Sequence, residues 1–328
     1  MRLRHLAVTI LAAALAPSLL TAQEGPRVEA LEWRAVGPFN GGRGSSVVGH
    51  PTEEHVFFFG HSSGGLWKTE DAGTYWTPVG EGQFRYGSVG AVAIAQSDPD
   101  IMYVGLGEPN LRQSVSWGDG MYKSTDGGEN WTHIGLPEAR QIARVRIHPD
   151  DPDVVYVASM GHTWGPHPDK GVFRTRDGGE TWEKILFISE GTGAIDLIMA
   201  PDDPNLLFAA MWQFERKAWG ATFGGPEGGL YRSTDGGDTW EEISEMPGLP
   251  AGAMGRIGLT MSADDPERVY AIVDSETKQG LYRSDDRGDS WRLVSDNPNI
   301  TARPFYFYTV YATPQNADAV WIPGNKLW

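Results

Sequence analysis

The sequence predicts an all-β propeller of four-stranded antiparallel blades, on three observations. A twelve-residue pattern occurs five times: GLWKTEDAGTYW (65–76), GMYKSTDGGENW (120–131), GVFRTRDGGETW (171–182), GLYRSTDGGDTW (229–240) and GLYRSDDRGDSW (280–291). Its aspartates, Asp71, Asp126, Asp177, Asp235 and Asp286, recur every 51 to 58 residues, a period that belongs to repeat architectures. Between the copies lie β-branched and aromatic runs broken by Pro/Asp turns, with no helical periodicity.

Each blade element follows from this layout. Ile147–Val157 reads as a strand, a Pro/Asp turn and a second strand, and it recurs at Met199–Ala209 and Ser262–Ala271. Looser versions lie at Gln96–Val104, Gly49–Phe59 and Ala312–Ile322. The twelve-residue pattern supplies a third strand and a tight turn, and its last residue (Trp76, Trp131, Trp182, Trp240 or Trp291) opens a fourth. Within the turn, the Ser/Thr and Asp side chains are placed to bond backbone N–H groups, and the glycine supplies a positive φ. The Trp is expected to bury its ring under the hairpin. A catalytic residue is needed once, not once per blade, so the five Asp residues read as structural.

Blades are expected over about 40–80, 88–135, 140–188, 193–244 and 254–295, with a partial blade over 304–328. Trp33–Gly37 matches the tail of a repeat with no repeat before it and reads as a closing strand. Leu327-Trp328 stands where Leu66-Trp67 stands before the first turn. The ends therefore read as part of a larger propeller whose remaining blades lie elsewhere, the alternative being a closed ring of six.

The chain has 328 residues, 40% hydrophobic and 11% aromatic, ample for a large core. The formal net charge of −16 repels phosphate backbones and argues against nucleic acid as partner. Arg2, Arg4 and His5 before the apolar run Leu6–Ala16, then Pro17–Ala22, read as a signal peptide over 1–22. The expectation is a secreted or periplasmic protein with no membrane insertion after cleavage, since no later stretch is long and apolar enough to span. The chain contains no Cys, which removes disulfides and thiolate chemistry. Histidines five apart in loops do not imply a metal site, and no motif calls for a cofactor.

The repeated motif is the Asp box, and nearly the whole mature chain resembles the Asp-box (BNR) repeat proteins. These include the sortilin-type N-terminal propellers, the two-propeller xyloglucanases and the sialidases. The stretches GGLWKTEDAGTYWTPVG and GLGEPNLRQSVSWGDGMYKSTDGG look most like secreted bacterial proteins of the sortilin-like and glycosyl-hydrolase kinds. The resemblance implies a propeller fold and an exported module binding a peptide or glycan, with a glycoside hydrolase of xyloglucanase-like architecture as the alternative. The position of the acid expected in xyloglucanases is Ser62 here, which counts against that mechanism. The Arg-Ile-Pro motif of sialidases is absent, so Arg85, Arg112, Arg144 and Arg256 are not assigned to a sialic-acid triad.

Strand order places the Pro/Asp turns and Asp boxes on one face, and the second-to-third-strand loops and the crossovers on the other. The long loops Glu108–Asp119, Met160–Lys170 and Met211–Phe223 all belong to that second face. Asn110, Arg112, Trp117, His162, Trp164, His167, Trp212 and Trp219 are the ligand-binding candidates there, aromatic platforms beside groups that fix orientation. Glycosidase chemistry needs two carboxylates across a bond. Glu108, Asp119 and Glu215 are the catalytic candidates, with Glu190 and Asp274 also on or near the face.

Overall fold

The computed structural model describes residues 43–328 except residue 113, so the expected signal peptide (1–22) and closing strand (33–37) lie outside the described residues. The first blade comprises β1 (Gly44–Gly49), β2 (Phe57–His61), β3 (Gly65–Thr69) and β4 (Thr77–Val79). The second has β5 (Val89–Ile94), β6 (Met102–Leu106), β7 (Met121–Ser124) and β8 (Thr132–Gly135). The third has β9 (Ile142–Ile147), β10 (Val155–Ser159), β11 (Gly171–Thr175) and β12 (Glu183–Leu186).

In the fourth, β13 (Thr192–Met199) and β14 (Leu207–Gln213) are followed by a small hairpin, β15 (Glu215–Lys217) and β16 (Gly220–Thr222). β17 (Gly229–Ser233) and β18 (Glu241–Glu242) complete that blade. The fifth has β19 (Met254–Met261), β20 (Val269–Ser275), β21 (Gly280–Ser284) and β22 (Arg292–Ser295). Each blade is an antiparallel meander. β23 (Tyr311–Thr313) and β24 (Asn316–Trp321) form a two-stranded sheet, on which Ile322 and Trp328 exchange a pair of backbone hydrogen bonds. The described residues are thus the all-β propeller read from the sequence.

The Asp boxes are built from bonds that reach no further than four residues. In the fourth blade Ser233 Oγ donates to Asp235 Oδ1 (2.8 Å) and accepts the Gly237 N–H (2.8 Å). Asp235 Oδ1 accepts the Thr239 N–H (2.8 Å), and Oδ2 accepts the Thr239 hydroxyl (2.6 Å). The same arrangement holds around Asp126, Asp177 and Asp286, and around Asp71 without the Oδ2 bond, since Tyr75 stands where the others have Asn, Thr or Ser. The residue after the Asp is also left-handed, even where it is Ala72 (φ 57°) or Arg287 (φ 54°).

These bonds hold the carboxylates low. Asp126 falls to about 2 chiefly through the Asn130 N–H, Asp177 to about 2 through the Thr175 hydroxyl, and Asp235 to about 2 through the Thr239 hydroxyl. The folded values lie below the unfolded value near 3.8, so this stability is fully present above about pH 4. It is lost as pH falls toward about 2. Acid titration followed by circular dichroism should show a cooperative loss of structure in that window. Replacing Asp126, Asp177 and Asp235 together by Asn should flatten it.

The box Trp residues join neighbouring blades. Trp131 and Trp291 are buried, whereas Trp76, Trp182 and Trp240 are half-buried. Trp182 donates its indole N–H to the Ile134 carbonyl of the preceding blade (2.8 Å). Gly237 is obligatory for the same packing: a Cβ there would stand 2.6 Å from Ile185 Cδ1 of β12. The basic residue of the motif carries a role that sequence reasoning did not assign. Lys123 pairs with Asp153 (2.9 Å), Arg174 with Asp238 (2.7 Å), Arg232 with Asp289 (2.7 Å) and Arg283 with Asp318 (2.6 Å), each on the next blade. Second-strand tyrosines add a parallel set of ties. Tyr103 donates to Pro152 O (2.9 Å), Tyr156 to Gly236 O (2.9 Å) and Tyr270 to Ala317 O (2.7 Å).

Candidate functional site

First strands of consecutive blades lie side by side, so they are innermost, and their crossovers share one face with the second-to-third-strand loops. Three loops build that face. Arg140, Trp117, His162 and His167 form a continuous row across the second and third blades. The Arg140 guanidinium lies 5.4 Å from the Trp117 ring, Trp117 lies 5.6 Å from His162, and His162 stacks on His167 at 5.8 Å. Both imidazoles accept a backbone N–H on Nδ1, His162 from Trp164 and His167 from Asp169, which leaves Nε2 as the outward nitrogen. Burial, then the neighbouring His167 and Arg140, lowers His162 below the ordinary imidazole range. Trp117 and Trp164 are exposed, and Trp219, in the tight turn between β15 and β16, is 85% exposed. An indole standing that far out of a rigid hairpin is an apolar plate available to a ligand.

Lys170 anchors the third-blade loop from below. It is fully buried, its Nζ lies 4.3 Å from the Phe214 ring, and burial pushes it down to about 8. Arg112 occupies the second-blade loop with Asn110 partly exposed two residues away.

Three sequence candidates are interior. Glu108 is fully buried, and both its oxygens accept Arg112 Nε (2.7 and 2.8 Å). Its carboxylate therefore orients Arg112 and has no open side for a substrate. Asp119 is buried, with both oxygens 3.2 Å from the Tyr122 hydroxyl. Trp212 is fully buried at the end of β14, stacked on Phe223 (6.4 Å), which in turn stacks on Phe305 (5.3 Å). Its ring packs the loop onto the blade and offers no surface to a ligand. Glu215 is accessible and paired with Lys217 (2.8 Å).

Asp274 stands apart from these. It ends β20 in a cleft of about 330 Å³ between the fourth and fifth blades, lined by Phe223, Gly225, Met254, Gly255 and Glu276. Among the described residues none hydrogen-bonds its carboxyl, and burial raises it to about 6. Gly255 makes room for it, because a Cβ there would stand 2.1 Å from Asp274 Oδ2. A carboxyl that keeps its proton near neutral pH beside open space is equipped to act as a general acid. Sequence reasoning set Asp274 on the right face but did not select it; the local signal was the glycine that a close approach requires, 19 residues earlier. Ser62 is buried, and its hydroxyl donates to the Arg43 carbonyl (3.1 Å). Among the described residues, no three His, Asp or Glu side chains converge as a metal ion would need.

The fold and the repeated hairpin define an Asp-box β-propeller. The BNR/Asp-box repeat model matches residues 231–242, the hairpin of the fourth blade. The chain is 24% identical over 322 residues to xyloglucanase Xgh74A of Acetivibrio thermocellus, covering 88% of this chain and 36% of that enzyme. It is 27% identical over 150 residues to the photosystem II assembly lipoprotein Ycf48 of Trichormus variabilis, covering 40% of this chain and 44% of the relative. The crystal structure of an ancestral GH74 enzyme superposes with a TM-score of 0.63 at 16% identity, covering 87% of this chain and 38% of that one. The chain spans about a third of the length of the xyloglucanase it matches.

Proposed function

We propose that this propeller is the glycan-handling part of a glycoside hydrolase that acts on polysaccharide. The observation that carries the proposal is the long alignment with a xyloglucanase, on a chain whose loops expose indoles and which holds, in a separate cleft, an acid raised by burial. Aromatic plates bind sugar rings through their apolar faces, and polar groups beside them fix orientation. Asp274 is the proton donor in this reading, and Glu276, in the same cleft, is the second carboxylate that glycosidase chemistry requires. Ser62 occupies the place where the resemblance puts an acid, so the reaction uses a different carboxylate from that pattern. The xyloglucanase relatives favour this reading over the sortilin-like binding module that the sequence alone ranked first.

Binding to soluble polysaccharides, measured by affinity electrophoresis, tests the glycan assignment. Trp219→Ala and Trp117→Ala should each weaken retardation by about five- to tenfold, the loss expected from removing one aromatic contact. Far-UV circular dichroism should not change. No retardation of the folded chain by any polysaccharide would remove the glycan reading and return the peptide-binding one.

A further inference from the structure

The third-blade loop 160–170 holds its two histidines in a geometry that only the neutral imidazole can keep. His162 Nδ1 accepts the N–H of Trp164 (3.1 Å), and His167 Nδ1 accepts the N–H of Asp169 (3.2 Å). Each ring closes a turn two residues ahead of itself, as an Asn or Asp side chain does. An imidazolium carries a proton on both nitrogens and accepts no hydrogen bond. Protonating either ring therefore breaks the bond that closes its turn and sets two N–H groups against each other.

The two rings also stack at 5.8 Å, so protons on both would oppose one another. Among the described residues neither ring pairs with a carboxylate. Arg140, from the crossover into β9, lies across the Trp117 ring (5.4 Å) from His162, its charge partly offset by Glu138 (2.6 Å). Lys170 lies under the same loop against the Phe214 ring, with Glu190 and Glu215 of the fourth blade as the carboxylates that act on it. Burial, with His167 and Arg140 after it, already holds His162 below 6.5. The folded loop thus takes this proton less readily than the unfolded chain, so its stability is full above about pH 6.5 and falls as pH drops below that. The loop is built to move: Gly161 (φ 61°) and Gly165 (φ 127°) are left-handed on either side of His162 and Trp164. Single backbone bonds tie it to the fourth blade, Arg216 N–H to Thr163 O (3.0 Å) and His167 N–H to Glu190 O (2.9 Å).

We propose that loop 160–170 is an acid-released latch on the ligand face: protonation of His162 and His167 opens both turns, parts the stacked rings and lets go of a ligand held against the Trp117 row. That the ligand is a glycan rests on the hydrolase reading; the latch itself does not. Acid weakens the hold of this loop, whereas the Asp274 proton acts on the rate in a separate cleft. Nitrogen-15 NMR of the histidine-labelled native chain reads the tautomers directly. At pH 8 both rings should carry their proton on Nε2, with signals assigned by their loss in His162→Asn and in His167→Asn. A proton on Nδ1 of either ring at that pH would overturn the proposal.

Hydrogen exchange then reads the opening. Corrected for the intrinsic pH dependence of exchange, the peptide spanning 160–170 should be at least about tenfold less protected at pH 5 than at pH 8, the loss expected from two broken bonds. The peptide of β10 should be equally protected at both. In the double variant His162→Asn/His167→Asn the loop should be equally protected at both pH values, because the Asn oxygen accepts the same N–H and takes no proton. Equal protection of the native loop at the two pH values, or a loss that persists in the folded double variant, would overturn the latch. If the double variant does not fold, the tautomers and the exchange of the native chain decide. Affinity electrophoresis in polysaccharide gels separates the two readings. Retardation that weakens about tenfold from pH 8 to pH 5 in the native chain alone supports both. Undiminished retardation at pH 5 would overturn the release. Acid opening with no retardation at either pH would sink the glycan reading and leave the latch.

Discussion

Replacing Asp274 by Asn should lower polysaccharide hydrolysis by about 10²- to 10⁴-fold, the usual contribution of a positioned general acid. The isosteric amide keeps the cleft and removes the proton. In the native chain the rate should fall as pH rises through about 6, where Asp274 loses its proton. The residual rate of the Asn variant should lack that limb. The same substitution should act oppositely on stability. The folded protein holds this proton more tightly than the unfolded chain, whose value lies near 3.8. Native stability therefore falls as pH rises from about 4 through about 6, while that of Asp274→Asn does not. At pH 7 the variant should melt higher than the native chain and be nearly inactive. A loss of activity accompanied by a lower melting temperature would instead mark Asp274 as a packing residue. Gly255→Ala should mimic the catalytic loss by pushing the carboxyl out of place.

Asp196→Ala is the substitution with the largest expected effect on stability, about 3–5 kcal/mol. Asp196 sits on β13 just after a bulge that pairs Ala194 with Met211 and Asp196 with Ala210. A bulge re-aims the side chains beside it, and here the carboxylate bridges three blades. It takes Arg144 from the third, its own strand's Leu197 N–H, and the Leu259 N–H of the fifth. Removing it leaves a buried guanidinium without its ion-pair partner and orphans two backbone donors. Asp196→Asn keeps one acceptor oxygen and should cost less. Urea unfolding monitored by tryptophan fluorescence gives both values from the shift in midpoint at unchanged slope. A loss below about 1 kcal/mol for Asp196→Ala would mean that the inner strands are held by apolar packing alone.

The propeller was legible in the sequence because the Asp box is a local device. Ser233, Asp235, Gly237 and Thr239 satisfy one another within a few residues, so their spacing shows the turn directly. The inter-blade role of Arg174 or Arg232 was not visible, because their partners lie 64 and 57 residues away in the next blade. The aromatic loops were found from composition, yet composition does not separate Trp219 from Trp212. One occupies a hairpin tip, and the other continues the apolar strand Leu207–Gln213 into the core. Candidate acids were sorted by loop position, but burial decides their chemistry. Glu108 is neutralised by a residue of its own loop, whereas Asp274 is raised by blades that the chain brings together from distant segments.

The proposed hydrolysis depends on the Asp274 proton. It is tested by the time course of reducing-end release from xyloglucan and from a second plant polysaccharide at pH 5, with native and Asp274→Asn chains side by side. The account predicts steady release from at least one of them by the native chain and a rate at the blank level for the variant. Equal release by both folded proteins, or no release by a native chain that binds the polysaccharide, would contradict it.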